Sequence, residues 1–231
     1  MKWLAKISGI AYVMIFFSGF YANFSVLENL VDIHSPAVTV ANIINGHSQF
    51  GYGLLGFLLM LFFDALLVWT LFYLTKSVSW KLSFLASSFR LLHAIFFGMA
   101  LSKLWKVYQL TDKVENTKGL EREIMQLVSD FDVIWTWGLL IFALHLIVLG
   151  FLGLKSTVIP KIIGLLLLLA AMGYLLDGIA KLSFENYHAY QPYFEVGVVL
   201  TGVIGELSFT IWLLVKGFGK LEKNTEKQIS G

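Results

Sequence analysis

A chain of 231 residues with 58% hydrophobic and only 14% charged residues does not have the composition of a soluble domain, in which about a quarter of the residues are charged. Its net charge of +2 is too small to indicate a nucleic-acid-binding protein. The absence of cysteine excludes disulfides, thiolate metal sites and a cysteine nucleophile. Such a chain needs lipid around its apolar surface and is predicted to be an integral membrane protein.

Six hydrophobic runs are each long enough to cross about 30 Å of hydrocarbon, which takes about 20 residues. Because the backbone finds no water in lipid, each run is predicted to be helical, and the fold class is an all-α polytopic bundle. The predicted spans are Trp3–Phe24, Phe50–Thr75, Leu82–Leu104, Phe131–Leu154, Ile159–Ala180 and Phe194–Lys216. They form one transmembrane domain, residues 1–217, and we expect the polar tail 218–231 to be disordered and cytoplasmic.

The first run follows Lys2 and Lys6, an arrangement that signal peptides share. Cleavage of a signal peptide after Ala22 would require a small residue at position 20, which is occupied by Phe20. We therefore predict an uncleaved first helix.

Two of the loops carry helical patterns of their own. Ser35 and Pro36 suit the N-cap and first position of a helix that Gly46 can end. Its predicted apolar face consists of Ala37, Val40, Ala41 and Ile44. A second apolar stripe consists of Leu120, Ile124, Leu127, Val128 and Phe131. Both segments are predicted to be short helices on the outer side, either lying on the membrane surface or packed over the mouth of the bundle.

The loop charges predict the orientation. With the N-terminus inside, ten of the 17 lysines and arginines fall on the inner side. The first outer loop contains Glu28 and Asp32 but no lysine or arginine. The positive-inside rule therefore predicts cytoplasmic chain ends in a bacterial inner membrane.

Six ionisable residues lie within the spans, where each costs at least about 2.5–3.5 kcal/mol on insertion scales. They are Asp64, Arg90, His93, His145, Asp177 and Glu206. At about 1.5 Å of rise per residue, all but Asp177 fall within about one turn of one depth near the membrane midplane. On the sixth span, Gly202, Glu206 and Thr210 form a stripe that turns the carboxylate inward. The pattern predicts a common interior site shielded from lipid.

Four interpretations of this cluster remain open. Arg90 needs an anion in a low dielectric, and a structural ion pair with Asp64 or Glu206 would fix the helix register. Buried carboxylates and histidines are also typical of proton relays, so our working hypothesis is a non-enzymatic protein that binds or passes a small solute or protons.

The other two interpretations involve a cofactor. A divalent metal would make the protein a membrane-embedded, hydrolase-like enzyme, although no HExxH or similar spacing is present. Its ligands would be drawn from His93, His145, Asp177 and Glu206. Haem with the two histidines as axial ligands is the least favoured interpretation.

Short motifs spread over nearly the whole chain resemble those of one bacterial family. They are Gly9-Ile10-Ala11-Tyr12, Ala41-Asn42-Ile43, Phe89-Arg90-Leu91, His145-Leu146 through Leu149-Gly150, Pro160 with Ile163-Gly164, Gly173-Tyr174-Leu175 with Asp177, and Gly205-Glu206-Leu207-Ser208 through Trp212-Leu213-Leu214. The chain resembles the six-helix membrane proteins catalogued as domain of unknown function four-three-eight-six. The resemblance implies the fold and the membrane location and assigns no activity. It also implies that Arg90, His145, Asp177 and Glu206 belong to the family pattern.

Overall fold

The computed structural model describes residues 2–32, 34–112 and 119–219, and the regular structure in these ranges is entirely helical. The elements are α1 (Lys2–Phe20), a π-helical segment (Tyr21–Leu27), α2 (Glu28–Leu30), α3 (Pro36–Asn45), α4 (His47–Thr75), α5 (Trp80–Leu110), α6 (Leu120–Lys155), α7 (Lys161–Ser183) and α8 (Tyr187–Phe218). Six stretches are long and apolar enough to cross a membrane, which confirms the predicted all-α bundle of six spans. The predicted disordered tail was residues 218–231. Phe218 is the last residue of α8, and residues 220–231 lie outside the described residues.

The spanning helices pack as a closed ring in chain order. Each one contacts the next along the chain, and α8 returns to contact α1. The helices alternate in direction, so Lys2 and Gly219 meet, and Lys2 Nζ donates to the Gly219 carbonyl oxygen at 2.7 Å. We call this end of the bundle the terminal end, and the end that holds α3 and the α7–α8 turn the distal end.

Two apolar cores fill the ring. One, toward the terminal end, includes Leu67 and Ala86, and the other, toward the distal end, includes Phe57 and Phe97. Asp64 lies between Phe57 and Leu67 on α4, and Arg90 lies between Ala86 and Phe97 on α5. Asp64 and Arg90 therefore lie in a polar layer between the two cores.

The short helix predicted after Ser35 is present as α3. It packs over the bundle against α4 and α6, and it does so through Thr39, Val40 and Ile43. The predicted apolar face was right in part, since Val40 is buried and Ile44 packs against the core, whereas Ala37 and Ala41 are exposed. Thr39 is turned inward because its hydroxyl group bonds both the N–H and the carbonyl of Asp32, which ties the incoming loop to the helix.

The second predicted short helix is wrong as a separate element. Its stripe forms the first turns of α6, a continuous helix of 36 residues. Ile124, Leu127, Val128 and Phe131 are buried, so the stripe packs against the bundle. A helix of this length extends about 54 Å, well beyond the hydrocarbon thickness of about 30 Å.

Candidate functional site

Arg90 is the centre of the polar layer and is 1% exposed. Its Nη2 donates to Asp64 Oδ1 on α4 at 2.6 Å, and its Nη1 donates to the Tyr12 hydroxyl oxygen on α1 at 3.0 Å. The same Nη1 lies 3.1 Å from Nε2 of His145 on α6. One guanidinium group thus links α5 to three other helices, and its charge is neutralised inside the protein.

His145 accepts the hydrogen bond from Arg90. A guanidinium group has donors and no acceptor, so the Nε2 of His145 carries the lone pair. The other ring nitrogen, Nδ1, lies 2.8 Å from the carbonyl oxygen of Ala86 and donates to it. The ring is therefore the neutral Nδ1–H tautomer, and both of its nitrogens are engaged.

His93 faces the second oxygen of Asp64. Its Nδ1 lies 2.9 Å from the Gly138 carbonyl oxygen and donates to it. Its Nε2 is 3.8 Å from Asp64 Oδ2, beyond hydrogen-bond distance. Within the described part of the chain, Asp64 Oδ2 is buried and accepts no hydrogen bond. The lone pair of a neutral ring and the carboxylate oxygen are both acceptors, so these two atoms form no hydrogen bond with each other.

A cavity of about 310 Å³ opens beside this layer. Asp64, Arg90 and His93 contribute to its wall, and so do several aromatic rings. The rings are those of Tyr12, Phe16, Phe24, Phe57, Trp135, Phe142 and Tyr174. Ligand pockets in proteins usually measure about 300–1,000 Å³ and are mostly apolar with a few polar groups. The cavity is large enough for a small molecule.

Glu206 adds a second carboxylate to the cavity wall. Gly202, Glu206 and Thr210, the stripe expected on the sixth span, all line the cavity. The Tyr174 hydroxyl group of α7 donates to Glu206 Oε1 at 2.8 Å. The ion pairs found among the described residues do not include Glu206. Arg90 attracts this carboxylate only through space and is itself paired with Asp64, so one negative charge is left over among these three groups. In a low dielectric such a carboxylate requires a proton or a cationic ligand.

Asp177 lies apart from the other five predicted residues. It belongs to the distal part of α7, does not line the cavity, and accepts a hydrogen bond from the Tyr187 hydroxyl group at 2.6 Å. Asp64, Arg90, His93 and Glu206 line the cavity, and His145 contacts Arg90 without lining it. The structure therefore brings five of the six predicted residues to one site.

The metal set predicted from the sequence is not assembled. Among residues 2–32, 34–112 and 119–219, no three or more His, Asp or Glu side chains are grouped so that they could hold a metal. His145 uses both ring nitrogens in hydrogen bonds, which also removes it as an axial ligand to haem. Asp177 bonds Tyr187 and is not part of the cavity wall that His93 and Glu206 share.

Two tyrosines belong to the site that were not predicted as site residues from the sequence. Tyr12 bonds Arg90 and Tyr174 bonds Glu206, each through its hydroxyl group. Both stand well inside a hydrophobic span, whereas tyrosine normally collects at the membrane–water interface. Their unusual depth in the membrane was the sequence feature that could have indicated that Tyr12 and Tyr174 belong to the site.

A family model and a curated protein match this chain. The model of the family described as "Domain of unknown function (DUF4386)" matches residues 7–217, which include all the residues of the site. An uncharacterized protein of Archaeoglobus fulgidus is 31% identical over 166 residues, which is 72% of this chain and 84% of that protein. No solved structure matches this chain.

Proposed function

This chain belongs to the DUF4386 family, as its motifs indicated, and we propose that its interior cavity binds a small solute and exchanges protons at Glu206 and at the Asp64–His93 pair. The observation that supports the proposal is one cavity with two carboxylates, an arginine and a histidine in its wall. These side chains come from α4, α5 and α8, so the site depends on the folded bundle.

A purely structural role accounts for only part of the site. The Asp64–Arg90 pair, with an N–O distance of 2.6 Å, can fix the register of α4 and α5 by itself. It does not explain why Glu206 carries an unbalanced charge in a costly environment. Nor does it explain the cavity, because protein interiors are otherwise close-packed.

Glu206 and the Asp64–His93 pair, the two groups at which we propose proton exchange, face the same cavity. A proton at Glu206 would neutralise the carboxylate, and a cationic solute would do the same through an ion pair. The proton and such a solute therefore compete for one charge, and this competition couples their binding free energies. A proton on His93 Nε2 would in addition pair with Asp64 Oδ2 across the 3.8 Å gap.

We also propose that the protein resides in a bacterial inner membrane with both chain ends in the cytoplasm. The terminal end supports this orientation, since it carries four lysines in its loops or within two residues of them: Lys76, Lys81, Lys155 and Lys161. The positive-inside rule places such loops on the cytoplasmic side.

Glu206 should take up a proton in the purified protein reconstituted in lipid. Infrared difference spectra between acidic and alkaline buffer should show a protonated carboxyl band that Glu206→Gln removes, because glutamine does not titrate. Glu195→Gln is the matched control, because Glu195 is an exposed carboxylate on the same helix, and its loss should leave the band unchanged. If Glu206→Gln folds and its spectrum is identical to that of the wild type, the proposal fails.

A further inference from the structure

The wall of the cavity includes the interface between α1 and α8, the first and last helices of the ring. Toward the terminal end these two helices touch closely. A Cβ added at Gly217 would lie 2.5 Å from the backbone of Lys6, and one added at Gly9 would lie 2.7 Å from the side chain of Leu214. No molecule can pass between the helices there.

Toward the distal end the same α1–α8 interface borders the cavity. Phe16 and Phe24 of the first span and Val199 of α8 line the cavity, and they are also 38%, 43% and 46% exposed. Side chains that belong to both the cavity wall and the outer surface form the rim of an opening. The outer surface of a spanning helix is in contact with lipid, so this opening faces the hydrocarbon of the distal leaflet.

The backbone of the first span is irregular at this rim. Asn23 and Phe24, which line the cavity, belong to the π-helical segment Tyr21–Leu27. π-Helical turns are rare and are frequent at functional sites. Their position here is a second observation that points to the rim.

The chemistry of the cavity indicates the kind of molecule that fits it. Arg90 is already neutralised by Asp64, so it does not require an anionic ligand. Glu206 carries the unbalanced charge, and aromatic rings such as those of Phe57, Trp135 and Phe142 line the cavity with it. A carboxylate with aromatic faces attracts an organic cation through an ion pair and cation–π contacts.

We infer that the solute is a lipophilic amine that enters sideways from the distal leaflet, between α1 and α8, and binds with its ammonium group at Glu206. The inference rests on the proposed solute-binding function and names the class of solute. An apolar body suits both the lipid route and the aromatic wall, and one positive charge matches the one unbalanced carboxylate.

Tritiated phenethylamine is a suitable probe for the full-length protein in phosphatidylcholine nanodiscs. We expect saturable binding in a scintillation proximity assay, displaced by unlabelled phenethylamine and only weakly by 2-phenylethanol, its neutral analogue. Glu206→Gln should weaken binding at least about tenfold, because it removes a charge-assisted hydrogen bond. Glu195→Gln should bind as the wild type does.

The lateral route has its own pair of variants. Val199→Trp places a bulky ring on the rim and should slow phenethylamine association at least about tenfold. Val196 is 59% exposed on the same helix and is not part of the cavity wall, so Val196→Trp should leave the rate unchanged.

The possible results separate this inference from the proposed function. Absent phenethylamine binding, with the infrared band of Glu206 present, overturns the amine inference and leaves the proposed function standing. Equal affinity in wild type and Glu206→Gln overturns the ammonium contact, and equal rates in the two tryptophan variants overturn the lateral route. Absence of both the binding and the band overturns the proposed function itself.

Discussion

Asp64→Leu or Arg90→Leu alone should lower the free energy of unfolding by about 3–5 kcal/mol, because each leaves the opposite charge buried without a partner. Asp64 and Arg90 are only 3% and 1% exposed, and their side chains approach to 2.6 Å. The double variant should recover much of the loss, since replacing a whole buried ion pair with apolar side chains is often neutral or stabilising.

The wild type, the two single variants and the double variant form a double-mutant cycle. Their apparent melting temperatures, followed by gel filtration after heating in one detergent, measure it. Lys106 and Glu123 form an exposed ion pair of 3.1 Å and provide the control, since such pairs contribute little to stability. Replacing either with alanine should shift the melting temperature very little. A double Asp64/Arg90 variant as unstable as the sum of its single variants would show that the two charges do not compensate each other.

Gly205→Ala should also destabilise the fold strongly, because α7 and α8 approach backbone to backbone at this residue. An added Cβ would lie 2.7 Å from the carbonyl oxygen of Leu166 and 2.8 Å from the Cβ of Ala170. Neither atom can rotate away, so the two helices must separate. Overpacking of this kind typically costs about 1–3 kcal/mol, and the separation would also displace Glu206, the next residue on α8.

Gly197→Ala is the matched control on the same helix. A Cβ added at Gly197 would have no atom within 4 Å, apart from its own helix backbone and chain neighbours. Alanine has the higher helix propensity, so this variant should be as stable as the wild type or slightly more stable. Equal melting temperatures for the two alanine variants would contradict the close packing of α7 on α8.

The number and type of the spans could be predicted because lipid leaves the backbone only one solution in a chain of this kind, the hydrogen-bonded helix. The ends of the helices could not be predicted equally well. Hydropathy locates the edge of the lipid, and α6 begins at Leu120, far before the apolar run at Phe131. The buried face of α3 was predicted only in part, because the hydroxyl group of Thr39 bonds the backbone of Asp32, and apolarity does not indicate such a contact.

Part of the site could also be predicted from the sequence, because lipid penalises charged groups. A charge inside a span is costly, so the depth of Asp64, Arg90 and Glu206 indicated a shared interior position. The choice of partners depends on how each helix is rotated and on side-chain rotamers. Tyr12 bonds Arg90 from 78 residues away, and His145 turns its lone pair to the same guanidinium group, which removes it from the expected metal set.

The contact between Arg90 and Asp64 can be measured directly in a bilayer. The chain has two arginines, Arg90 and the exposed Arg122, so Arg122→Lys leaves Arg90 as the only one. Magic-angle-spinning NMR on this variant, with ¹⁵N in the guanidinium group and ¹³C in the aspartate carboxylates, should show strong dipolar coupling that Asp64→Leu abolishes. The 2.6 Å distance between Arg90 Nη2 and Asp64 Oδ1 requires that coupling. A folded protein without it would contradict the claim that the charge of Arg90 is neutralised within the ring of helices.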